Sequence, residues 1–142
     1  MSTRVDFYVL TETAQQARDL TACRITEKAW LKDNRVYLHT DSLRSAERLN
    51  DLLWSFRQGS FVPHELCNTP LDESVPVLVG HGECPSELSG VLVNLDQTAP
   101  DFFSQFDRVV ELIATSEDAK LAGRARWRHY KEYGCEIQSH NV

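Results

Sequence analysis

A chain of 142 residues, 42% hydrophobic and 25% charged, is long enough to bury a sizeable core and too apolar to stay disordered, so one self-folding domain spanning residues 1–142 is expected. Its formal net charge of −6 opposes strong direct binding to a phosphate backbone and leaves any nucleic-acid role indirect or local. Arg4 and Asp6 interrupt the apolar run at the N-terminus, so the reading excludes a signal peptide and a membrane span and places the chain in the cytoplasm.

In chain order, short apolar runs alternate with longer helical stretches, the pattern of an α/β sheet sandwiched by helices. Residues 5–10 read as a first buried strand and residues 13–31 as a helix. A second strand is expected over residues 35–39 and a second helix over residues 42–56. Residues 57–74 carry Gly59, Pro63, Asn68 and Pro70 and read mostly as loop. Strands at 75–79 and 90–95, a short helix at 100–106 and a last clear strand at 109–114 follow. A helix over 116–133 then ends at Gly134, a residue suited to a left-handed cap. The chain shows no internal repeat and no low-complexity linker. Cys23, Cys67, Cys84 and Cys135 lie far apart and read as free thiols.

Two helices say more than the fold requires. Ala46, Leu49, Leu53 and Phe56 form one stripe at spacings of three and four, and Trp54 falls about 100° or more from its middle. An outward tryptophan is a common interface anchor. Phe61, Val62 and Pro63 follow in a predicted loop, where helix packing does not account for them. The competing reading folds Trp54, Phe61 and Val62 under that loop as a satellite cluster. In the last helix Lys120, Arg124, Trp127, Arg128 and Lys131 share an arc of about 100°, with Leu121, Ala122, Ala125 and Tyr133 opposite. An aromatic flanked by cations suits an acidic peptide that ends in an aromatic residue. The competing reading is a solvated face whose charges complement the helix dipole.

Catalytic signatures are sparse. Thr11 to Gln15 follow the first strand where a dinucleotide fold needs glycines, and neither GxxxxGK[ST] nor GxSxG occurs. The carboxylates form no spacing that marks an acid/base pair. His64 with Cys67 and His81 with Cys84 make two H-x-x-C pairs, a ligand set for tetrahedral zinc, although the spacing matches no common zinc module. A thiol paired with a histidine is a further enzymatic alternative. These define the rival reading, a small zinc- or thiol-dependent enzyme on a Rossmann-like fold.

RVDFYVL at residues 4–10, the stretch from Arg35 to Leu66 with its Leu53-Trp54 and Ser-Phe-Val-Pro-His, and SEDAKLAGRARWRHYKEYG at 116–134 resemble the chi subunit of bacterial DNA polymerase III. The likeness covers most of the chain and is weakest over residues 67–90. It implies a three-layer α/β sandwich with a mostly parallel Rossmann-like sheet, helices on both faces and no phosphate-binding loop. It also implies an accessory subunit without catalysis or cofactor that serves replication and repair in the cytoplasm. That family joins the clamp-loader complex through the psi subunit and binds the acidic C-terminal tail of single-stranded-DNA-binding protein. Carried over, Trp54, Phe61 and Pro63 match the surface for psi or a competing helicase-like protein, and Val62 between them is expected to belong to the same surface. Arg124 and Trp127, with Ile113 as an apolar wall, match the tail site, and Lys120, Arg128 and Lys131 of the same basic arc are expected to join it. Trp127 stands where the family more usually has tyrosine, and Gly123 costs the helix about 1 kcal/mol relative to alanine.

Overall fold

The computed structural model describes residues 3–11, 15–67 and 74–141. The start of the predicted first helix at residues 13 and 14, the loop positions 68 and 70, and residues 12–14 of the segment after the first strand lie outside that set. The elements run β1 (Arg4–Val9), α1 (Gln15–Leu31), β2 (Val36–Thr40), α2 (Leu43–Ser55), β3 (His64–Leu66), β4 (Val77–His81), β5 (Val91–Asn94), a 3-10 turn (Phe103–Gln105), β6 (Arg108–Ile113), α3 (Glu117–Tyr133) and β7 (Glu136–Asn141). The strands form one sheet in the order β3-β4-β2-β5-β6-β1-β7, and every neighbouring pair is parallel.

Because successive strand residues face opposite sides, each central strand supplies two cores. Val36 and Leu38, Val77 and Val79, and Val91 and Val93 meet Ala22, Cys23 and Ala29 of α1 and Ala46, Leu49 and Leu53 of α2 on one face. Tyr37, Leu78, Leu92 and Val109 turn to the other face, against Phe103 and Phe106 at the 3-10 turn and Tyr130 of α3. Two buried layers explain why these strands read as continuous apolar runs.

The helix boundaries have local causes. The Ser42 hydroxyl accepts from the Ser45 amide at 3.1 Å and Ser116 does the same for Ala119 at 3.2 Å, each satisfying an otherwise orphaned N–H. Gly134 closes α3 at φ 101°, its N–H reaching the Tyr130 and Lys131 carbonyls. Between the helices, Arg48 of α2 holds Asp19 of α1 at 3.3 Å.

Three expectations are corrected. Residues 109–114 do not form the last strand, because β7 follows α3 and pairs along β1 at the sheet edge. The predicted loop contains β3, a three-residue strand on β4. On α3, Leu121 is 59% exposed and Tyr133 63%, and Ala125 is exposed too. The buried side of that helix is instead Gly123, Arg126 and Tyr130.

Candidate functional site

The first exposed aromatic centre lies at the end of α2. With the helix register set by the Ser42 cap, Leu53 enters the core at 1% exposure and Trp54 emerges at 58%. Phe61 is 62% exposed, and its ring centroid lies 5.8 Å from that of Trp54. His64 lies beneath, 4.7 Å from the indole.

What holds the loop in place is polar. Glu27 on α1 takes the Arg57 guanidinium at 2.7 Å and accepts from the Ser60 hydroxyl. The Ser60 bond, opposed by burial and aided by Arg57, holds the Glu27 carboxyl below its ordinary value. The His64 ring lies between the Val62 carbonyl at 2.6 Å and the Asn50 carbonyl at 2.9 Å, bridging loop and α2. Pro63 is partly exposed beside Phe61. Val62 is not part of this surface: at 1% exposure it packs into the core against α2 and β4, because alternate residues of the extended segment face opposite ways. The satellite-cluster reading therefore fails: Trp54 and Phe61 are exposed, and Val62 joins the main core.

The second centre is the outer side of α3. Arg124, Arg128 and Lys131 are exposed, Lys120 is partly so, and Trp127 is 37% exposed. The Lys131 ammonium lies 4.7 Å from the Trp127 ring centroid, within range of a cation–π contact. Lys120 is 3.9 Å from Glu117 one turn earlier. Ile113 ends β6 under the helix, where a Cβ on residue 123 would lie 2.6 Å from its Cδ1. Gly123 is thus what allows helix and strand to approach so closely, and its propensity cost is the counterpart of that contact.

An inner ionic cluster fixes this helix and leaves its cations outside. Glu111 on β6 is 0% exposed. It accepts from Arg126 Nε at 2.8 Å, from the Tyr130 hydroxyl at 2.5 Å and from Asn94 Nδ2 at 2.8 Å. Arg126 also donates to the Gln97 carbonyl at 2.9 Å. Burial pushes the Glu111 carboxyl up, against the pull of Arg126, Tyr130 and Asn94. Periodicity alone did not find Arg126, but a glutamate inside the apolar run VVELI signals a buried partner.

The two centres lie far apart. α2 packs on β3, β4 and β2, whereas α3 packs on β6 and β7 from the opposite face. β4 and β1, at the middle of those groups, are separated by four strand spacings, about 19 Å.

The H-x-x-C pairs do not converge. His64 faces α2, His81 ends β4 exposed, and Cys67 and Cys84 pack in the cluster on the other side of the sheet. Among the described residues no group of three or more His, Cys, Asp or Glu side chains could hold a metal ion. Burial, with Cys67 and Glu87 nearby, pushes the Cys84 thiol up to about 12; burial also raises Cys67 and Cys135 and, with Asp19, takes Cys23 to about 12. Such thiols hold little nucleophilic thiolate. No helix among the described residues is long and apolar enough to cross a membrane.

Comparison with known proteins points to one family. The family model "DNA polymerase III chi subunit, HolC" matches residues 1–138. The chain is similar to the DNA polymerase III subunit chi of Pseudomonas aeruginosa, at 40% identity over 99% of this chain and 97% of that one. It is also similar to the chi subunits of Escherichia coli, at 26% identity over 94% of each chain, and of Haemophilus influenzae, at 24% over 100% of this chain and 99% of that one.

Proposed function

The chain belongs to the DNA polymerase III chi-subunit family and is an accessory, non-catalytic subunit of the replicative polymerase; from that premise we propose that it is a two-faced tether. The Trp54 face, with Phe61 and Pro63, takes the psi subunit of the clamp-loader complex, or a helicase-like protein that competes for the same place. The outer face of α3 takes the acidic C-terminal tail of single-stranded-DNA-binding protein. There Arg124, with Lys120, Arg128 and Lys131, meets carboxylates, while Trp127 and Ile113 receive the terminal aromatic ring.

The observation that carries this reading is the pair of exposed indoles on opposite faces, one packed beside Phe61 and the other flanked by cations. Aromatic anchors in such settings dominate interface energies. Holding both partners at once raises the local concentration of the clamp loader beside coated template without a new contact between them. The subunit acts in this way in the cytoplasm, as a single domain, in replication and repair. It needs no cofactor, no strong DNA contact of its own and no membrane.

The test is calorimetric titration of the protein with an acidic peptide ending in phenylalanine at two salt concentrations. A contact made by a few charge-assisted bonds is expected near micromolar affinity and weakens as salt screens it. Arg124→Ala is expected to remove about 1.5–3 kcal/mol of that binding. Binding that ignores both salt and Arg124 contradicts the reading.

A further inference from the structure

His64 begins β3 beneath the Trp54 indole, and its ring is 8% exposed. Everything it touches is held in place. Its own backbone pairs with Val77 of β4. The Val62 side chain, sunk in the core, fixes the carbonyl two residues before it. On the α2 side stands the carbonyl of Asn50, which in an α-helix also accepts from the amide four residues on, that of Trp54.

The hydrogen bonds of the ring set its charge. Nδ1 lies 2.6 Å from the Val62 carbonyl oxygen, and Nε2 lies 2.9 Å from that of Asn50. A carbonyl oxygen only accepts, whereas a neutral imidazole has one N–H and one bare lone pair. In either neutral tautomer one ring nitrogen would press its lone pair against an oxygen at hydrogen-bond distance. Only the doubly protonated ring donates at both ends. Two charge-assisted bonds offset the cost of burying that cation, and the electron-rich indole, with its centroid 4.7 Å away, attracts it further. The charged groups on the elements packed around it are turned away or taken: Asp51 on α2 and Glu65 on β3 are exposed, β4 sets Val77 opposite it, and Arg57 of the loop is held by Glu27.

We propose that His64 is the positioning residue of the Trp54 face. As an imidazolium it clamps the segment that carries Phe61 and Pro63 to the last turns of α2, and so keeps both aromatic rings in one surface for psi. This rests on the docking role assigned to that face. When rising pH removes one ring proton, one of the two bonds is lost and the clamp opens.

The full chain, labelled with ¹⁵N at histidine, is followed by long-range NMR correlation at pH 7, where an ordinary imidazole is mostly neutral. Both His64 nitrogens are expected to resonate as protonated, and one of them to become bare by pH 9. Psi is then titrated calorimetrically at pH 6.5 and pH 9 into the wild-type protein and into His64→Gln, whose amide has one donor nitrogen and does not titrate. The wild type is expected to lose about tenfold in affinity over that interval, and H64Q to bind more weakly at pH 6.5 and to lack that dependence. A bare ring nitrogen at pH 7, or a pH profile shared by wild type and H64Q, overturns the assignment. The wild-type resonances decide the charge of His64 whether or not H64Q folds. Psi that binds Trp54→Ala as tightly as wild type sinks the docking role of the face instead, and leaves the imidazolium standing.

Discussion

Arg126→Met tests how α3 is anchored. The substitution keeps an unbranched side chain of similar reach but removes both the bond to Glu111 at 2.8 Å and the bond to the Gln97 carbonyl at 2.9 Å. Glu111 stays at 0% exposure with only Tyr130 and Asn94 as donors. Removing one partner of a buried ion pair costs about 3–5 kcal/mol, a large part of the ~5–15 kcal/mol that holds a domain together. Part of the cost is relieved by protonation, since burial already pushes the Glu111 carboxyl up and the lost guanidinium opposed that shift. The sign follows: a carboxyl whose folded pKa lies above its unfolded value stabilises fully below the unfolded pKa, and that contribution is lost as pH rises through the folded one. The variant is therefore expected to be least stable near pH 8 and to recover part of its deficit towards pH 5. Urea unfolding followed by tryptophan fluorescence at both pH values measures this, and the double variant Glu111→Leu with Arg126→Met is expected to regain most of the loss. A single-variant loss under about 1 kcal/mol, or one equal at both pH values, refutes the role assigned to this pair.

Tyr130→Phe removes the hydroxyl that donates to Glu111 at 2.5 Å and is expected to cost about 1.5–3 kcal/mol in the same unfolding assay. Asp6 is 2% exposed; burial alone would raise its carboxyl, but hydrogen bonds from Arg108 and His140 and the charges of Arg108 and Arg4 outweigh burial and leave it lowered. Its contribution is present above the unfolded aspartate value and lost as pH falls through the folded one, so Asp6→Asn is expected to flatten the acid limb of the stability profile. Ser60→Ala removes one of the two side-chain contacts that tie the loop to Glu27, leaving that of Arg57, and is expected to weaken psi binding while leaving tail binding unchanged, measured by paired titrations. Cys23 and Cys84, pushed up to about 12, are expected to react with a thiol reagent at pH 8 roughly a thousandfold more slowly than a free cysteine.

Most of the architecture was legible because five strands carry runs buried on both faces. β3 and β7 were not. β3 is three residues long and follows Pro63, in a stretch whose turn residues outweigh its strand propensity. β7 lies at an edge and offers Ile137 as its one large apolar side chain, so no alternating pattern marks it. A strand–helix unit ending at a glycine cap was the available sign that a parallel strand follows.

The two exposed aromatic centres divide in the same way. Trp54 was legible because a capped helix transmits its register to its last turn, so one apolar stripe fixes what lies off it. The basic arc of α3 was legible too, but its buried side was misread. Hydrophobicity pointed to Leu121 and Tyr133, while the sheet holds the helix through Arg126 and Tyr130, whose partner Glu111 is fifteen or more positions away. Such a long-range ionic contact leaves no trace in a helix's own periodicity. Gly123 read as a weakness of the helix because the side chain it makes room for, Ile113, belongs to another element.

That each partner has its own face is tested most directly by measuring the affinity of a labelled acidic tail peptide for the protein alone and for the protein saturated with psi. With anchors on opposite faces of the sheet, the two affinities are expected to agree, and Trp54→Ala is expected to abolish psi binding while the peptide still binds. Displacement of the peptide by psi, or loss of the peptide from Trp54→Ala with its fold intact, would contradict the two-faced tether.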